Sequence, residues 1–145
     1  MPITMTPIFE TSLEATEAEA EALLDIIVAY NKATGIRSTE SEELVIRLKD
    51  PDTGELVGGL YAELYFGWLN VRYLAVPPEC RGQGLGSRLL GMAQEHARER
   101  NCIGVWLDTF SFQAPEFYRR HGYESFGEIE SYPPGHRRCF FQKQL

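Results

Sequence analysis

Three glycines on alternate positions, Gly82, Gly84 and Gly86, follow Arg81 in the stretch VPPECRGQGLGSRLL, residues 76–90. A turn stripped of side chains exposes successive backbone N–H groups, and a helix starting behind it adds the positive end of its dipole. Both suit an anion, above all a phosphate. A Walker-type loop would need GxxxxGK[ST], but Ser87 and Arg88 follow Gly86 and the lysine is missing. A dinucleotide turn is imitated more closely, by Gly82-x-Gly84-x-x-Ser87 with Asp108 some 24 residues past Gly84. Against it, the five residues Pro77 to Arg81 part the preceding apolar run from the glycines. Hairpins precede that run, and too little chain follows Asp108 for a doubly wound sheet. A third kind of phosphate site depends on what surrounds the turn.

The elements that must position it are readable. Residues 14–34 carry helix formers with Leu23, Leu24, Ile27 and Val28 at helical spacing, Thr11 or Ser12 as a cap and Gly35 at the end. Two β-rich runs flank the turn DPDTGE, and a reversal at Phe66–Gly67 leads into a third strand, Trp68–Val76, stopped by Pro77 and Pro78. From Gly84 to Arg100 the pattern is helical, with Leu85, Leu89, Ala93 and Ala97 on one stripe. CIGVWLDTF, residues 102–110, is a bounded apolar run and so a buried strand. A helix runs from Pro115 toward Gly122, and two closing strands surround YPPG. The order is helix, three-strand meander, helix, strand, helix and two strands.

Bulk properties exclude several classes. A chain of 145 residues with 43% hydrophobic residues is one globular domain, not a disordered segment. A net charge of −7 argues against a general nucleic-acid binder. The longest helix-like apolar run, LLDIIVAY, is far short of the ~20 residues of a membrane span. MPITMTPIFE has neither the basic nor the apolar part of an export signal, so a cytoplasmic protein is expected. Cys80, Cys102 and Cys139 are odd in number and lack metal-ligand spacing, so neither disulfides nor a metal site is expected. Acidic residues crowd the first helix, as a solvated face or as a surface attracting a cation, while arginines lie mainly in the second half.

Arg81-Gly82-Gln83-Gly84-Leu85-Gly86 fits Q/R-x-x-G-x-G/A, and SFQAPEFYRRHGYE sets Ala114, Phe117, Tyr118, Gly122 and Tyr123 at A-x-x-F-Y-x-x-x-G-Y spacing. In this order the two segments resemble motifs A and B of the GCN5-related N-acetyltransferase (GNAT) family, closely over residues 55–145. The resemblance implies an α/β (α+β) fold: a mixed, mostly antiparallel central sheet with helices on both faces. That sheet would splay between the family's strands four and five, here the runs 68–76 and 102–110, within a single domain 1–145. It also implies an N-acetyltransferase that moves acetyl from acetyl-CoA to a primary amine of a small molecule or peptide by direct attack. An acyl-CoA sensor or scaffold is the alternative, because the family's glutamate base has no counterpart: Asn70 and Trp106 stand in its places.

Residue by residue, the resemblance lets the backbone of Leu74, Ala75 and Val76 meet the pantetheine arm. The N–H groups from Gly82 through Gln83, Gly84, Leu85 and Gly86 to Ser87 would hold the pyrophosphate, with Arg81 adding charge and Arg88 as much solvated as functional. Ser111 takes the place of a common pantetheine-binding asparagine. Tyr118 is the expected acid for the departing thiolate, since a phenol of pKa ~10 stays protonated near neutrality. The base is left open between Glu63, Tyr65, Asp108 and water. His136 is expected to border the acceptor pocket, while packing and the helix dipole account for His96 and His121. No metal, nucleic acid or membrane partner is implied; a cationic amine acceptor and a homodimer fit the reading.

Overall fold

A computed structural model describes residues 5–37 and 41–145. The chain divides into two compact units, residues 1–38 and 39–145.

The first unit holds α1, Glu17–Ala33. Its cap is Thr16 and not the expected Thr11 or Ser12. Thr16 Oγ1 accepts the Glu19 N–H at 3.1 Å, and Glu19 Oε1 accepts the Thr16 N–H at 3.0 Å. This reciprocal box satisfies two backbone donors at once, which a lone upstream hydroxyl cannot do, so the helix starts later than its composition suggests. The Thr16 hydroxyl, donating to Glu19 Oε1 at 2.8 Å, and then the Thr16 N–H hold the Glu19 carboxyl below its ordinary range.

The second unit is built on a six-stranded sheet of order β1-β2-β3-β4-β6-β5. Its strands are β1 Glu42–Lys49, β2 Leu56–Tyr65, β3 Trp68–Ala75, β4 Gly104–Phe110, β5 Glu124–Glu130 and β6 Arg137–Gln144. In the β1–β2 turn Asp50 Oδ1 accepts the N–H groups of Asp52 and Thr53, at 2.8 and 3.1 Å. All neighbours are antiparallel except β3 and β4, which run parallel because α2, Leu85–Glu99, crosses between them. The expected mixed, mostly antiparallel sheet is therefore what forms.

One core lies between this sheet and α2. Leu89, Leu90, Ala93 and Ala97 of the helix meet Leu60, Ala62, Leu69, Val71, Val105, Leu107 and Phe141 of the strands, all nearly inaccessible to water. α3, Pro115–Arg120, is short, and its Tyr118 joins the same core. No helix of the described residues is long and apolar enough to cross a membrane.

Candidate active site

The site begins with a defect in β3. Tyr61 of β2 faces Tyr73, but the next residue, Ala62, faces Val71, so Arg72 is an extra residue with no partner in β2. Such a bulge bends its strand and raises the local twist. On the other side, the β3–β4 ladder runs only from Trp68–Gly104 to Val71–Leu107. It ends where the bulge begins, although β3 continues to Ala75 and β4 to Phe110. The two parallel strands thus part, as expected for the runs 68–76 and 102–110.

A cavity of about 1120 Å³ occupies the gap. One wall is β3 from Val71 to Ala75 with Val76 beyond it; the other is Asp108 and Thr109 of β4, with Ala114, Phe117 and Tyr118. Its end is the glycine turn. Gly82 and Gly84 adopt φ of +82° and +71°, a left-handed conformation that other residues take at a cost, and Gly84 caps α2 without a side chain. The first intrahelical bond is Arg88 N–H to Gly84 C=O at 3.0 Å, so the N–H groups of the first turn have no helical acceptor. Phe117 lies against Gly86, where an added Cβ would sit 3.4 Å from its ring. A bare-backbone cradle of this kind fits a pyrophosphate.

Of the residues anticipated from sequence, Leu74, Ala75, Val76, Arg81, Gly82, Gly84, Leu85, Gly86, Ser87 and Tyr118 all line this cavity. Gln83 and Ser111 do not. Ser111 ties the end of β4 to β6 instead: its Oγ accepts the Arg137 N–H at 3.0 Å, and its own N–H reaches Arg137 O at 2.8 Å. Of the base candidates only Asp108 faces the cavity. Its Oδ2 accepts from Arg138 Nε at 2.7 Å. Glu63 is engaged by Arg72 and by the Tyr61 hydroxyl, both at 3.4 Å, and Tyr65 is exposed against the Phe66 ring.

Tyr118 is 7% exposed, edge-on to Phe117 and Tyr123. Burial, and then the nearby Asp108 charge, push its hydroxyl up to about 12. Tyr123 is also raised, mainly by burial, and its hydroxyl is buried without a partner among the described residues.

Sequence reasoning missed the aromatic mouth of the site. Phe110 stacks on Phe112 at 5.3 Å and on Tyr132 at 5.6 Å, and His136 meets the edge of Phe112 at 5.0 Å. Phe110, Phe112, Ser131, Tyr132 and Pro133 line a shallow hollow of about 450 Å³, and Phe112 belongs to both cavities. Arg138 is packed over Phe110, Tyr132 and Phe140. The sequence pointed to this region only through His136, expected to border the acceptor pocket, and not through the aromatic side chains around it. Gln113 was missed too: its Oε1 accepts the Phe110 N–H at 2.9 Å and closes the turn after β4.

Comparison with known proteins agrees with this geometry. Residues 27–125 match the family model described as an acetyltransferase (GNAT) domain. The chain is 36% identical over 133 residues to an acetyltransferase of Agrobacterium fabrum, covering 91% of this chain and 96% of that one. It is 45% identical over 95 residues to the blasticidin-S acetyltransferase of Streptomyces morookaense, covering 65% and 70%. A crystal structure of an acetyltransferase from Bacillus cereus superposes with a TM-score of 0.82 at 34% identity, over 94% of this chain and 98% of that one. The parted parallel strands, the glycine cradle and these likenesses agree: the chain belongs to the GNAT family and is an acetyltransferase.

Proposed function

We propose that this acetyltransferase moves acetyl from acetyl-CoA to a primary amine by direct attack, with both substrates in the cleft between β3 and β4. The observation that carries the reading is the ladder that stops at Val71 and Leu107 while both strands run on toward the glycine cradle. Beyond the bulge, the backbone of Leu74, Ala75 and Val76 is free of β4 and pairs with the pantetheine amides as an added strand. The N–H groups from Gly82 to Ser87 hold the pyrophosphate, and Arg81 adds charge at the same end.

An alkylammonium must lose its proton before it attacks a thioester. Asp108 is the sequence candidate that faces the cleft, and its bond to Arg138 holds the carboxylate in a fixed orientation. Water completes the path for the proton. Negative charge gathering on the carbonyl oxygen meets the Val76 N–H. Tyr118 then supplies a proton to the leaving thiolate. Burial that keeps this hydroxyl protonated also keeps it a donor throughout the working pH range.

The acceptor is an amine-bearing small molecule entering over Phe112, the residue shared by the two cavities. A panel of polyamines, aminoglycosides, lysine peptides and blasticidin S, followed by thiol release, tests this. Release of CoA with at least one amine is expected. Acetyl-CoA binding without acetylation of any amine would overturn the primary-amine acceptor.

A further inference from the structure

We infer that His121 is a positioning residue that decides which way the Ser87 hydroxyl points its proton, and so couples acetyl-CoA binding to proton uptake. This rests on the reading of Ser87 as part of the pyrophosphate cradle. His121 caps the end of α3, and its ring reaches across to the first turn of α2. Nδ1 lies 2.7 Å from Phe117 O and Nε2 lies 2.9 Å from Ser87 Oγ.

The first contact fixes the second. A carbonyl oxygen only accepts, so Nδ1 carries a proton whether the ring is neutral or charged. In the neutral ring Nε2 is therefore a bare acceptor, and the Ser87 O–H must donate to it. The serine has one proton, now spent, and shows only lone pairs to an anion in the cleft. In the charged ring Nε2–H donates to Ser87 Oγ instead. The serine proton is then free to donate to a phosphate oxygen, and the imidazolium adds a positive charge behind it. An anion at Ser87 thus selects the protonated imidazole.

Among the described residues, no carboxylate forms an ion pair with His121. Lys143 of β6 donates from Nζ to His121 O at 2.9 Å. Arg88 follows Ser87 on α2, Arg120 precedes His121 on α3 and lines the cleft, and Glu116 of α3 is paired with Arg119. The bound pyrophosphate is the negative charge that this pocket lacks. By linkage, what binding does to the proton, the proton does to binding: affinity falls as rising pH removes the imidazolium.

Calorimetry of acetyl-CoA binding from about pH 5.5 to 8.5, in buffers of different ionisation enthalpy, reads both affinity and proton uptake. The 3′-phosphate of the ligand titrates near pH ~6 as well, but equally for every variant, so differences between variants isolate the imidazole. His121→Phe is expected to lose its share of the uptake and to raise the acetyl-CoA KM about tenfold near pH 6, with the loss on KM and not on kcat. His121→Gln, whose amide donates to Ser87 at any pH, should keep affinity close to wild type while flattening its pH dependence. Proton uptake and pH profiles that match wild type in both variants would overturn the proposal. Wild-type protein that binds no acetyl-CoA at any pH would instead remove the cofactor reading on which it stands.

Discussion

The two ends of the cleft are made in different ways. The cradle end is one continuous stretch, from Leu74 through Ser87, and it presents mainly backbone: N–H groups, left-handed glycines and a helix terminus. The aromatic end is assembled from side chains of three segments, around Phe110–Phe112, Tyr132–His136 and Arg138, which meet only after the sheet has formed. Backbone recognition is bound to a local residue pattern, whereas a wall of side chains depends on topology. The first end suits a ligand common to a whole family, and the second can vary without touching it.

The largest expected effect attacks the backbone end. Gly84→Glu brings side-chain strain at φ +71° and a carboxylate into the cradle. Acetyl-CoA affinity should fall by about 100-fold or more. An added Cβ there meets nothing within 4 Å, so the thermal unfolding midpoint should fall by the left-handed strain alone, about 1–2 kcal/mol or a few degrees. Unchanged affinity would dissolve the contrast between the two ends.

Tyr118 stands between them. Tyr118→Phe should lower kcat by about 100-fold while acetyl-CoA binding stays near wild type; equal loss in both would make the residue structural. Its hydroxyl also gives a signature in stability. With an ordinary value of 10.0 and a folded value near 12, the folded protein keeps a proton that the unfolded chain releases in that window. Stability contributed by this group is complete below pH ~10 and is lost as the pH climbs toward ~12. Alkaline unfolding of Tyr118→Phe should therefore be shallower than that of wild type.

The smallest effect sharpens the aromatic end. Phe112→Ala should raise the KM of the amine acceptor by about 2- to 10-fold, and that of acetyl-CoA by clearly less. Equal changes in both constants would merge the two ends into one.

What the sequence makes legible follows the same division. The strand and helix order, the glycine turn and the Tyr118 helix could be read directly, because periodicity, turn residues and motif spacing are local. The start of α1 was misplaced by a few residues because a capping box competes with simple composition. Ser111 could not be placed, since its hydroxyl is claimed by Arg137, 26 residues away in sequence. Glu63 and Tyr65 could not be separated from Asp108 until strand register turned Asp108 alone toward the cleft. The pairing of His121 with Ser87, 34 residues apart, is equally invisible in one dimension.

Arg72 does more than open a gap. Leu69 and Val71 point into the core, and strict alternation would send Tyr73 and Ala75 after them; with one residue inserted, Leu74 and Val76 follow instead. The strand thus undergoes a frameshift in facing. Its first half obeys one parity between β2 and β4, and its second half obeys the other beside β2 alone. One inserted residue marks the point where β3 leaves β4.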